Sequence, residues 1–187
     1  QCRHITMLSG RPPSTQPGID QLLDRLVSGS SRQKRSSAAA LEKVSEQLSG
    51  KAEQALEAYS RNGDDWGAGW ILQIIQRHQP EALEALPGVS EGWFHAPSSC
   101  DIDYSDLQRA LLREHFEEAD RLTSCALRQL AGEQAVQRGY VYFSEVAPMQ
   151  SLDLTSIDRL WVAYSQGRFG FTVQARILSA LGGRYER

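Results

Sequence analysis

FEEADRLTSCALRQL, residues 116–130, decides the fold class. Phe116, Ala119, Leu122, Thr123, Ala126, Leu127 and Leu130 recur at steps of three and four, so one helix carries one continuous apolar stripe. Acidic residues fill its first turn and Gly132 stands where a helix ends. Upstream, Ser105-x-x-Gln108 reads as a capping box opening a helix with Leu107, Ala110 and Leu111 inward. Downstream, Thr155-x-x-Asp158 reads as a second box, before Ile157, Leu160, Trp161 and Tyr164. Residues 172–181 predict a last helix with Val173, Ile177 and Leu181 inward, closed by Gly182-Gly183. Gly139–Phe143 is short, aromatic and β-branched, and reads as an extended segment or ordered loop rather than a helix.

The same periodicity continues towards the N-terminus. Residues 19–27 predict a short helix, 38–59 a longer one broken at Ser49-Gly50, and 70–77 one stopped by Pro80. The expected architecture is all-α: an N-terminal helical bundle or repeat module over 19–90, then a second helical domain over 101–187. A flexible Pro- and Gly-containing segment, 1–18, precedes them, and the composition break at Val89–Cys100 separates them. Arg32-Gln33-Lys34-Arg35 reads as solvated linker rather than as a contact patch.

The chain has 187 residues, 41% of them hydrophobic, and a formal charge of −3. That charge argues against a dedicated nucleic-acid binder, and no apolar run is long enough to span a bilayer. Cys2, Cys100 and Cys125 form no disulfide framework, and Cys125 lies on the apolar stripe, which predicts a buried thiol. His4, His78, His95 and His115 have no other His or Cys at the close spacing of a zinc site, the acidic residues after His115 read as a solvated helix start, and no nucleophile, phosphate loop or EF-hand is complete. What remains is a surplus of aromatic residues between helices: Tyr140, Tyr142, Phe143, Phe169 and Phe171, with Met149. Together they suggest a greasy cleft for a flat apolar ligand, with Arg138 and Arg168 close enough in sequence to meet its carboxylates. The residues alone go no further than a helical binding module.

Four strings add a resemblance: LLREHFEEADRLT (111–123), LAG (130–132), QRGYVYFSEV (137–146) and LDLTSIDRLWVAYSQGRFGFTVQARI (152–177). They resemble the genomes-uncoupled-four family of tetrapyrrole-binding regulators of magnesium chelatase, of which SxGxFGF[ST]VQ, here Ser165–Gln174, is characteristic. The resemblance implies a cupped-hand helical core. Its greasy palm, formed partly by the 133–152 loop, takes protoporphyrin IX and magnesium protoporphyrin IX. By position Phe143 falls on the palm aromatic and Phe116 on an apolar palm position. Arg138, Tyr140, Val141, Val146 and Met149 join them as candidates from loop position and chemistry. The resemblance further implies a non-enzymatic activator with no intrinsic cofactor and the large catalytic subunit of magnesium chelatase as partner. A role in plastid-to-nucleus signalling belongs to the same implication. A chloroplast location with peripheral membrane association is expected, the alternative being a cyanobacterial cytoplasm, and the chain is expected to be monomeric. Because it opens on Gln1 and ends soon after Gly182-Gly183, it is expected to be a piece of a longer protein lacking the second palm loop. The competing readings are a helical protein-interaction scaffold and a sensor module without a carrier role.

Overall fold

The computed structural model describes residues 17–63 and 66–183, and among them there are helices and no strand. The flexible segment expected over 1–18 lies almost wholly outside the described residues. Helix α1 spans Ile19–Ser28 and α2 spans Ser31–Glu42. Ser30 and Gln33 form a reciprocal capping box, so Arg32–Arg35 begin a helix and are not linker. In place of one helix over 38–59 broken once at Ser49-Gly50, three stand in series: the end of α2, α3 (Ser45–Gly50) and α4 (Ala52–Leu56). The breaks fall at Val44 and Lys51, whose backbones leave helical geometry. A straight helix over 38–59 would run for about 33 Å. Broken, the segment bends so that α2, α3 and α4 each touch the next helix, α5 (Trp66–His78).

Helix α5 is the axis of the molecule. Gly67 to Gly69 and Ile71 to Ile75 are all buried, as expected of a helix with neighbours on nearly every side. Pro80 does not simply stop it, because it occupies the first turn of α6 (Pro80–Glu84), where its missing N–H leaves no bond unmade. The segment expected to separate two halves is itself packed: Trp93 and Phe94 are buried edge to face at 4.8 Å, and Phe94 meets Tyr164 at 5.3 Å. Buried side chains from both halves form one contiguous cluster.

The second half contains α7 (Ser105–Leu112), α8 (Phe116–Ala131), α9 (Glu133–Arg138), α10 (Phe143–Val146), α11 (Ser151–Tyr164) and α12 (Phe171–Ala180). Neither capping box expected here forms. Ser105 is already helical and its hydroxyl donates to Asp103. Gln108 is buried instead, accepting from the Phe94 amide at 2.8 Å and donating to the Phe94 carbonyl at 3.0 Å. An irregular buried backbone needs such a partner, which outranks a cap on the surface. Helix α11 starts ahead of Thr155, so Asp158 sits in its interior and caps α12 through the Thr172 amide (3.0 Å) and hydroxyl (2.8 Å). Tyr142 is extended as expected, but Phe143 opens α10.

Two burial expectations fail. Cys125 is half-buried, because only Ala119, Thr123 and Ala126 of the α8 stripe reach the interior completely. Helix α12 rests on α11 through Val173, leaving Ile177 53% and Leu181 79% exposed. Asp153 is fully buried at the start of α11 and accepts from the Ser98 and Ser99 hydroxyls, the Ser99 amide and Tyr104. Burial opposes its charge, but those hydrogen bonds prevail and hold its carboxyl below the ordinary value. No helix among the described residues is long and apolar enough to cross a membrane.

Candidate functional site

A cleft of about 790 Å³ opens between α11 and the segment joining α9 to it. Val141, Phe143, Val146 and Met149 line it from that segment, together with Leu127 of α8 and Phe171 of α12. Its floor is a stripe of α11: Ser151, Leu154, Thr155 and Asp158, at steps of three, four and seven on one helical face. Of these, Asp158 is committed to capping α12 through Thr172.

Phe143 is 95% exposed at the lip. Covering such a ring stabilises a complex by roughly 1.5–3 kcal/mol. The lip is held by its neighbours. Glu145 accepts from the Tyr142 amide at 2.7 Å and from Arg138 at 2.6 Å. The bond from the Tyr142 amide, then Arg138, keep the Glu145 carboxyl below its ordinary value. The Arg138 guanidinium lies 4.0 Å from the Tyr142 ring centre and 4.8 Å from that of Tyr140. Together these contacts fix the segment just before Phe143.

The seven sequence candidates therefore separate. Val141, Phe143, Val146 and Met149 come together in the cleft. Arg138 and Tyr140 do not line it; Arg138 is paired with Glu145, and the Tyr140 hydroxyl stands 3.2 Å from that of Tyr142. Phe116 lines a neighbouring pocket of about 260 Å³ with Trp161 and Phe169. Its ring stacks on Trp161 at 6.2 Å, and Phe169 meets both edge-on. Phe171 belongs to both cavities. Arg168 is turned back on its own loop, donating to the Ser165 carbonyl at 3.0 Å. Leu127, Leu154 and Asp158 escaped sequence reasoning. The 151/154/155/158 spacing was the available signal, and its mixed polarity concealed it. Among the described residues no three His, Cys, Asp or Glu side chains group as a metal site.

Both cavities lie inside residues 97–187, the stretch that matches the GUN4-like family model. The chain is 37% identical over 121 residues to a Ycf53-like protein of Synechocystis sp., covering 64% of this chain and 52% of that protein. It is 48% identical over 71 residues to the chloroplastic tetrapyrrole-binding protein of Arabidopsis thaliana, covering 38% and 27% respectively. A ycf53 protein of Porphyra purpurea is 40% identical over 90 residues, or 48% of this chain and 38% of that one. The chain thus spans about half, or less, of the length of these relatives. All of the cleft, from the end of α8 to the start of α12, falls in the stretch, residues 97–187, that matches the GUN4-like family model.

Proposed function

We propose that the chain binds a tetrapyrrole in the cleft between α11 and the Phe143 lip. The observation that carries this reading is an apolar cavity of about 790 Å³ whose lip bares Phe143 while Arg138 and Glu145 hold that lip in place. Such a volume lies within the range of small-molecule sites, and apolar walls with few free polar groups suit a flat macrocycle. The name of the Arabidopsis relative agrees with that ligand class. Protoporphyrin IX and magnesium protoporphyrin IX are the proposed ligands, and the large catalytic subunit of magnesium chelatase the proposed recipient. The role is to bind and present rather than to catalyse, in a plastid or a cyanobacterial cytoplasm. A contribution to plastid-to-nucleus signalling follows from the same ligand. Residues 101–187 would form the binding core and 19–90 an accessory module.

The test is titration of the chain with protoporphyrin IX, followed by tryptophan fluorescence. Trp161 shares its pocket with Phe171, which also lines the cleft, so saturable quenching is expected. Phe143→Asp should weaken binding about tenfold or more with helicity unchanged, since the ring supports no core. Absence of saturable quenching in the unaltered chain defeats the reading. A protein-docking role has its own support in the exposed Ile177 of α12 and Leu181 just after it. It predicts that Leu181→Gln weakens capture of the chelatase subunit while porphyrin affinity stays unchanged.

A further inference from the structure

The Phe171–Thr172 wall of the cleft continues a turn, residues 165–170, that the N-terminal half grips at three successive points on α5. At the first, the Trp66 ring covers Gly167 so closely that a Cβ there would come within 2.5 Å of it. The Arg35 guanidinium of α2 lies over the same ring, 5.5 Å from its centre. At the second, Gly69 meets the end of α11, where a Cβ would stand 2.4 Å from the Ala163 carbonyl oxygen. At the third, buried Gln73 donates through Nε2 to the main-chain carbonyls of Tyr164 (2.8 Å) and Leu111 (3.1 Å). Its Oε1 accepts from Gln166 Nε2 at 2.7 Å.

Gln166 needs that partner. It is buried with φ +53°, in the left-handed region that residues with a Cβ seldom occupy. From this turn the chain runs directly to the cleft. Ser165 Oγ accepts from the Phe169 amide at 2.9 Å, Gly170 packs against Asp158 and Val162, and Thr172 caps onto Asp158.

We infer that Gln73 is a positioning residue for the ligand cleft, with Trp66 as its outer partner. Helix α5 sets the Gln166–Gly167 turn, and the turn sets where Phe171 and Thr172 stand against Asp158. The inference rests on the cleft being the tetrapyrrole site. Leucine at position 73 would remove one hydrogen bond each from the Leu111 and Tyr164 carbonyls and the tie from the Gln166 amide to α5, leaving Gln166 Nε2 with the Tyr164 carbonyl (2.9 Å) and the Leu111 carbonyl with the Glu114 amide (3.0 Å). Without its tie to α5, Gln166 is held less firmly in its left-handed conformation, and the turn that leads to Phe169–Thr172 loosens with it.

The experiment compares the unaltered chain with Gln73→Leu, Trp66→Ala and the core control Ile75→Val by amide hydrogen exchange and protoporphyrin IX titration. Trp66 is only half-buried, so Trp66→Ala keeps the test alive if Gln73→Leu fails to fold. Expected for either α5 variant is exchange at 165–172 faster by about tenfold, with α1–α4 unchanged. The Kd for porphyrin should rise about tenfold alongside, and Ile75→Val should do neither. Unchanged exchange at 165–172, acceleration spread over every helix, or faster local exchange with unaltered porphyrin affinity each overturns the inference. If the unaltered chain binds no porphyrin, the proposed ligand falls, the positioning role for it falls too, and the exchange pattern separately reports whether α5 holds the turn.

Discussion

Helices α5 and α12 are made of similar material and live in opposite surroundings. WGAGWILQIIQRH and FTVQARILSA each open on an aromatic residue, carry branched aliphatics and include Gln and Arg. In α5 every residue from Gly67 to Ile75 except Trp70 is buried, whereas α12 buries Val173 alone. Apolar content does not separate them. The Gly67-Ala68-Gly69 start does, because it lets α5 approach α11 until backbone meets backbone at Ala163, and α2, α3, α4 and α7 then close around it. Helix α12 offers Thr172, Gln174 and Arg176 around its circumference and leans chiefly on α11. Burial is decided by how closely neighbours can come and how many there are.

The widest test of this contrast removes the same atoms from each helix. Ile74→Ala should cost about 3–4 kcal/mol in urea unfolding, because the site is sealed and a cavity remains. Ile177→Ala should cost less than about 0.5 kcal/mol. Comparable losses would break the comparison. Next comes Asp153 in α11, the helix on which both rest. Asp153→Ala should cost about 3 kcal/mol by leaving the buried Tyr104 hydroxyl and the partly buried donors on Ser98 and Ser99 without their acceptor. Its folded pKa is depressed, so the stability it lends is present above the ordinary carboxyl range and lost as pH falls through the folded value. Unfolding midpoints from about pH 6 down to pH 2 should therefore slope less steeply in Asp153→Asn than in the unaltered chain.

A smaller effect is expected where α5 touches α11. Gly69→Ala gains about 1 kcal/mol in helix propensity but drives a Cβ into the Ala163 carbonyl, an overpacking that costs about 1–3 kcal/mol. A net loss of about 1 kcal/mol in thermal or urea unfolding is expected, and a net gain would show that α5 has room it does not display. Smallest of all is Leu181→Gln, for which the unfolding midpoint should hardly move, since the side chain is 79% exposed.

Particular residues show what was legible in advance. The helices centred on 19–27, 70–77 and 116–130 were readable because one face of each repeats at helical spacing. Helix α2 was missed at its start because Arg32–Ser37 has no apolar residue to mark a face. Its cap was nonetheless written as Ser30-x-x-Gln33, the same pattern that misled at Ser105-x-x-Gln108. The two differ in surroundings alone: Gln33 faces solvent and turns back on the helix, while Gln108 lies among buried residues and serves the Phe94 backbone. In the cleft, the apolar members of the 140–149 loop were legible from type and position. Arg138 was not, because its partner Glu145 lies in the same segment and takes the charge first. The floor on α11 stayed hidden because serine, leucine, threonine and aspartate share no hydropathy signal.

The bare ring of Phe143 bears on how such a chain keeps company with its own kind. A fixed, solvent-facing phenylalanine beside an open apolar cleft is a sticky spot, and two unliganded copies can meet through it. If the proposed ligand fills the cleft and covers the ring, it removes that spot, and ligand supply should then alter colloidal behaviour. Concentrated unliganded protein should scatter more light than the same solution after porphyrin is added, and Phe143→Asp should abolish the difference.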